Sequence, residues 1–238
     1  MTRSIANQDH QKRAGLLFGI ALVSIALWQT YVGCIVLYPF TILATWFHEM
    51  GHGIGALLTG SRFEKLMIFP DGSGVAMSLR PSDGYRVTDA FIAASGPLGP
   101  AIAGALLIIA SRSAKATRTA LTVLGAALII STVIWVRSLI GWIFLPSLGL
   151  GILVLALRES QPWQRFGIQL LGVQACISVW KQFDYLFSAG GSIGGTVQRS
   201  DTRAIADVLF LPYWFWGMVV SAVTLALLWW SLRIAFRR

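Results

Sequence analysis

Long apolar runs separated by short polar segments set the pattern of this chain. Residues 14–37 and 39–59 each read as a helix of bilayer length, with Pro39 at the break between them. Residues 61–87 lose the helical pattern. There Glu64-Lys65-Leu66-Met67-Ile68-Phe69 reads as a strand, Pro70-Asp71-Gly72-Ser73-Gly74 as a turn, and Val75-Ala76-Met77-Ser78-Leu79 as a returning strand. The alternative is a plain amphipathic connector. Residues 88–111 make a third span. Its Ala94-Ser95-Gly96-Pro97-Leu98-Gly99-Pro100 stretch predicts a kinked or broken helix with freed backbone groups. Residues 119–157 hold about two spans, turning near Arg137 and Gly141. A further span follows at 166–187, a Gly/Ser-rich loop at 190–200 and a last span at 208–232. The pattern predicts an all-α polytopic membrane protein of six or seven transmembrane helices, with room for a small β-hairpin after the second. Residues 1–13 form a polar tail. Residues 14–238 form one membrane-embedded domain, its core at 39–111 joined by the helix around 166–187.

Composition sharpens this picture. Apolar residues make up 55% of the chain and charged residues 12%, half of the roughly 25% usual in soluble proteins. The net charge of +9 is spread over the tail, the loops and the C-terminus. That spread suits lipid headgroups and excludes a nucleic-acid-binding surface. Basic clusters lie in the tail, at Arg112, Lys115 and Arg118, and at Arg233, Arg237 and Arg238. Seven spans cannot place all three on one side of a membrane. Cys34 and Cys176 both fall in apolar segments, which excludes a disulfide framework. The first apolar run exceeds a signal-peptide core and reads as a retained helix.

Within the second apolar run stands His48-Glu49-Met50-Gly51-His52. A helix advances about 100° per residue, so the two histidines lie about 40° apart on one face, one turn apart. Both imidazoles can serve one tetrahedral Zn²⁺, with Glu49 beside them to move the proton of an activated water. Ionisable groups at that depth are functional suspects because burying them in lipid is costly. The competing reading is a pair of interhelical hydrogen bonds. Too few histidines remain for a di-iron site, and two on one helix cannot grip opposite faces of a haem.

The chain resembles the site-2 protease family of intramembrane zinc metalloproteases, in particular its minimal prokaryotic-type members. The likeness rests on the His48–His52 motif with Gly53-Ile54-Gly55-Ala56-Leu57-Leu58-Thr59-Gly60, on the turn through Phe69–Gly74, and on Ala94–Gly99. It covers about residues 40–105. The resemblance implies Zn²⁺ held by His48, His52 and an aspartate from a later helix, with Glu49 as general base. It further implies a membrane protein or peptide as substrate, cleaved in or near the bilayer of a bacterial-type cytoplasmic membrane. The chain departs from the family pattern in one respect. The later aspartate usually precedes glycine, and no Asp-Gly follows residue 84.

A catalytic zinc takes three protein ligands and keeps one open position. The sequence choice for the third ligand is Asp184, at the end of an apolar helix where an unpaired carboxylate is expensive; pairing with Lys181 is the alternative. Asp201 is the runner-up, since Ser200-Asp201-Thr202-Arg203 already explains itself as a helix cap. Asp207 is third. The expected activity is hydrolysis of peptide bonds by zinc-activated water. A non-proteolytic helix-binding relative and a metal or proton transporter are the other classes. Replacing Glu49 by Gln separates them.

Overall fold

In the computed structural model, residue 15 and residues 18–79 and 86–236 are described. The tail 1–13, with His10, and the Asp83-Gly84 turn lie outside the described residues. Helix α1 (Phe18–Leu27) ends early. Thr30 then starts α2 (Tyr31–Val36) by accepting from the Gly33 N–H at 3.0 Å. The first span expected at 14–37 is therefore two helices, because Gln29 and Thr30 supply a polar break and a cap. Helix α3 (Tyr38–Leu58) carries Pro39 in its first turn, where no N–H is needed. It ends in a Schellman turn. Ser61 N–H reaches Ala56 O at 2.9 Å, Gly60 N–H reaches Leu57 O at 3.2 Å, and Gly60 takes φ +77°.

The segment after α3 is the hairpin read from sequence. Strands β1 (Arg62–Ile68) and β2 (Gly74–Leu79) pair antiparallel, with Leu66 opposite Ala76 and Glu64 as a bulge. Asp71 Oδ1 accepts from Ser73 N–H at 2.9 Å and fixes the turn, in which Gly72 has φ +84°. The inward residues Phe63, Leu66 and Ile68 are buried.

Helix α4 (Arg86–Ala110) runs unbroken through Pro97 and Pro100, correcting the expected break. Each proline deletes one helical N–H, yet flanking turns and close neighbours on several sides hold the helix: α4 packs on α3, α7, α9 and α10. The elements around it are α5 (Ala114–Trp135), α6 (Leu139–Arg158), α7 (Gln161–Lys181), α8 (Phe183–Leu186), β3 (Gly190–Ile193), β4 (Thr196–Arg199), α9 (Asp201–Leu209) and α10 (Tyr213–Phe236). The stretch 190–200 is thus a second hairpin rather than a loop. Its two-residue turn, Gly194-Gly195, has φ +56° and +80°, values that glycine adopts without strain.

Among the described residues, four helices are long and apolar enough to cross a membrane: α4, α5, α6 and α10. The protein is an integral membrane protein. The expectation of six or seven spans also counted α3 and α7. Each has 21 residues, or about 31 Å of helix, but their polar residues dilute the apolar signal. These polar groups are held inside the protein. In α7, Gln164 donates to Ala156 O at 2.9 Å, Gln169 to Ser111 Oγ at 3.2 Å and Gln174 to Ser24 Oγ at 2.6 Å. Their amide N–H groups thus donate within the protein, while Gln174 Oε1 is buried without a partner among the described residues. In α3, the run Thr41–Glu49 is buried throughout.

The α5–α6 turn holds the first hairpin in place. Val136 bridges to Leu66, Arg137 N–H donates to Leu66 O at 2.9 Å, and Ser138 Oγ accepts from Ile68 N–H at 2.9 Å. Phe63 stacks on Trp135 at 5.0 Å between centroids, and Trp46 Nε1–H donates to Ser131 at 2.9 Å. One edge of β1 is thereby covered, while among the described residues β2 pairs with β1 alone.

Candidate metal centre

The motif helix α3 and the central helix α4 meet through glycines. A β-carbon at Gly51 would strike the Ser95 carbonyl oxygen, and one at Gly99 the Phe47 carbonyl oxygen. Small residues at helical spacing allow this backbone approach. The closeness brings the Ile92 carbonyl to the His52 Nδ1, 2.8 Å away. That bond assigns the neutral-ring proton to Nδ1 and leaves the Nε2 lone pair free, the tautomer a metal requires.

Asp201 comes from the other wall. Ser200 caps α9 by accepting from Arg203 N–H at 3.2 Å. Its hydroxyl donates to Ser188 O at 2.6 Å, and the Thr202 hydroxyl donates to Leu186 O at 2.8 Å. Both residues are fully buried. They clip the start of α9 to the segment between α8 and β3, and Asp201 between them projects at the histidines. Asp201 Oδ2 lies 3.0 Å from His48 Nε2, Asp201 Oδ1 lies 3.3 Å from His52 Nε2, and the two Nε2 atoms are 3.1 Å apart. Burial on its own would raise the Asp201 carboxyl. The imidazoles of His52 and His48, by charge and hydrogen bonding, outweigh it and hold the group well below the usual carboxylate range.

Glu49 is buried beside this group and turned to the first hairpin. The backbone N–H of Ala76 in β2 donates to its carboxylate. Gly74 passes so near that a β-carbon there would lie 2.8 Å from Glu49 Cγ. Two bonds from α3 fix the hairpin turn: Thr45 hydroxyl to Gly72 O at 2.6 Å and Tyr38 hydroxyl to Pro70 O at 2.9 Å. Glu49, His48, His52 and Asp201 share a cavity of about 730 Å³, walled by β2 on one side and by Gln182, Tyr185 and the second hairpin on the other.

The three donor atoms suit a metal ion. A tetrahedral zinc with ligand bonds of about 2.0–2.1 Å separates its ligand atoms by about 3.3 Å; here the two Nε2 atoms are 3.1 Å apart, and each meets a different oxygen of the Asp201 carboxylate, Oδ2 at 3.0 Å from His48 and Oδ1 at 3.3 Å from His52. Two imidazole nitrogens and a carboxylate oxygen are also borderline ligands of the kind zinc takes. His48, His52 and Asp201 are the His/Cys/Asp/Glu group among the described residues with this arrangement.

The structure therefore brings His48, Glu49 and His52 together as the motif implies, but adds Asp201 rather than Asp184. Asp184 stands exposed in α8, against a separate cavity with Ile25, Gln29 and Trp180. Its proposed pairing with Lys181 involves a side chain outside the described residues. Asp207 is engaged by Arg199 at 3.0 Å and Arg203 at 2.9 Å. Reading residues 200–203 as a cap was sound, but the capping side chain belongs to Ser200, and this frees Asp201 for another role. The Gly-Gly turn at 194–195 was the signal that the chain folds back just ahead of it.

Residues 17–231 match the sequence model of the Peptidase M50B-like family. The chain belongs to that family. No curated protein and no solved structure matches it. The M50B-like match takes in α9 as well as α3, so family membership extends to both walls of the site and well beyond residues 40–105. This M50B-like protein thus combines a metalloprotease family, a membrane-spanning body and a His-His-Asp group able to hold a metal.

Proposed function

We propose that the protein is a membrane-embedded zinc endopeptidase acting on membrane-associated proteins or peptides, with His48, His52 and Asp201 as ligands and Glu49 as general base. The observation that carries this reading is the convergence of three donor atoms from α3 and α9 next to a buried carboxylate in one cavity. Bound zinc would supply Lewis-acid polarisation of the scissile carbonyl and lower the pKa of water.

The chain's own residues do the rest. Glu49, held by the Ala76 N–H, accepts a proton from the attacking water and delivers it to the leaving amine. The Ile92 carbonyl keeps His52 in its ligating tautomer. The edge of β2 turned away from β1 runs along the cavity, its Ala76 N–H taken by Glu49, and its remaining backbone groups can take an extended segment by strand addition. A helical substrate must first unwind to reach that edge, so segments containing Gly or Pro are favoured. Purified protein, assayed for metal content and for cleavage of a model membrane substrate, tests the reading. Wild type should bind zinc and cleave, and Glu49→Gln should bind zinc without cleaving. Metal flux into vesicles with no cleavage would instead indicate a transporter.

A further inference from the structure

Asp184, left aside by the metal centre, belongs to a second cavity of about 430 Å³ between the ends of α1 and α7. Ile25, Trp28, Gln29, Trp180, Phe183 and Asp184 line it. The Trp180 ring, about half exposed, packs on Phe183 at 5.8 Å and 39°, and Phe183 in turn packs on Phe187 at 4.4 Å and 30°. Trp28 is buried and forms a wall shared with the catalytic cavity. Ser24 and Gln174, 2.6 Å apart, fasten α1 to α7 one turn away. The half-exposed Trp180 ring beside the exposed Asp184 carboxylate, in a cavity walled by Trp28 and Phe183, forms a surface for an organic ammonium: the indole attracts the cation and the carboxylate neutralises it. An inorganic cation would find too few oxygen ligands here.

The approach to the cavity indicates what carries the ammonium. Phe18 and Leu22 on α1 are exposed large apolar residues, and with Ile25 they follow the i, i+4, i+7 spacing of one helix face. That exposed apolar strip of α1 leads to the cavity, where Gln29 and Asp184 are the polar groups. We propose that this cavity binds a zwitterionic phospholipid, its terminal ammonium among Trp180, Phe183 and Asp184 and an acyl chain along Phe18 and Leu22. This does not depend on the protein being a protease.

The test is native mass spectrometry of the detergent-solubilised full chain, incubated with phosphatidylethanolamine or phosphatidylglycerol of identical acyl chains. Wild type should retain the ethanolamine lipid preferentially, and Asp184→Asn and Trp180→Ala should each reduce that preference about fivefold or more. Zinc content, measured on the same samples, should stay at the wild-type level and serves as the check on folding. Equal retention of the two lipids by wild type would overturn the proposal, as would an unchanged preference in Asp184→Asn. Loss of zinc in Asp184→Asn would also overturn it, by returning Asp184 to the metal centre.

Discussion

Gly96 of α4 lies against the imidazole of His52, so closely that a β-carbon at position 96 would overlap the ring. The ring cannot retreat freely, since its Nδ1 is tied to Ile92 O one turn back on the same helix. Gly96→Ala should therefore displace His52, reduce zinc content and abolish most cleavage, with a stability loss of about 1–3 kcal/mol from overpacking. Gly151→Ala, where no atom lies within 4 Å, is the control and should be neutral or slightly stabilising. Metal analysis and thermal unfolding of both variants decide the matter.

Glu49→Gln keeps the shape of the side chain and removes the base. Cleavage of a membrane substrate should fall by about 10²–10⁴, while bound zinc stays at one equivalent. Activity close to wild type would exclude Glu49 as the proton carrier.

Asp201→Ala should remove a metal ligand, whereas Asp184→Ala should not. After dialysis, the first variant should retain little zinc and no activity, and the second should match wild type in zinc. The opposite pattern would restore the choice made from sequence.

Thr202→Val removes a fully buried hydroxyl and leaves the Leu186 carbonyl without its partner. An unsatisfied buried group costs about 1–3 kcal/mol. Because this bond aims the start of α9, the variant should also bind zinc more weakly than wild type in a competitive chelator titration. Thr202→Ser, which keeps the hydroxyl, should recover most of the affinity.

How much of this was legible beforehand depended on how local each signal was. The motif helix, the first hairpin and the α5–α6 turn rest on patterns within a few residues: apolar runs, Pro-Asp-Gly-Ser-Gly, a polar break at Arg137. The placement of Asp201 beside the histidines is a contact 153 positions away from His48, and no local pattern measures such a distance. Local reasoning favoured Asp184 because a carboxylate at the end of an apolar helix looks expensive. In the fold α8 turns it outward, and the expense does not arise. Similarly, α3 and α7 read as lipid-spanning helices by their runs of apolar residues, yet many of their polar side chains, Thr45, Trp46, Gln164, Gln169 and Gln174 among them, bond to neighbouring protein, a fact that only tertiary packing supplies.

The two hairpins are anchored very differently, and this has a bearing on access. The first is fastened to α3 and to the α5–α6 turn on several backbone atoms. The second is tied to its sequence neighbours, by the Tyr185 hydroxyl to Arg199 O at 3.1 Å, the Ser188 hydroxyl to Gly190 O at 3.2 Å and Arg199 to Asp207 at 3.0 Å, with Gly194 resting against Phe69 and Val197 almost wholly exposed. Ser192, Ile193, Gln198 and Arg199 of this hairpin line the cavity beside Asp201. On the proposed ligand set, a change that loosens the second hairpin should show in zinc affinity as well as in cleavage, because β4 leads directly into the residue offered as third ligand.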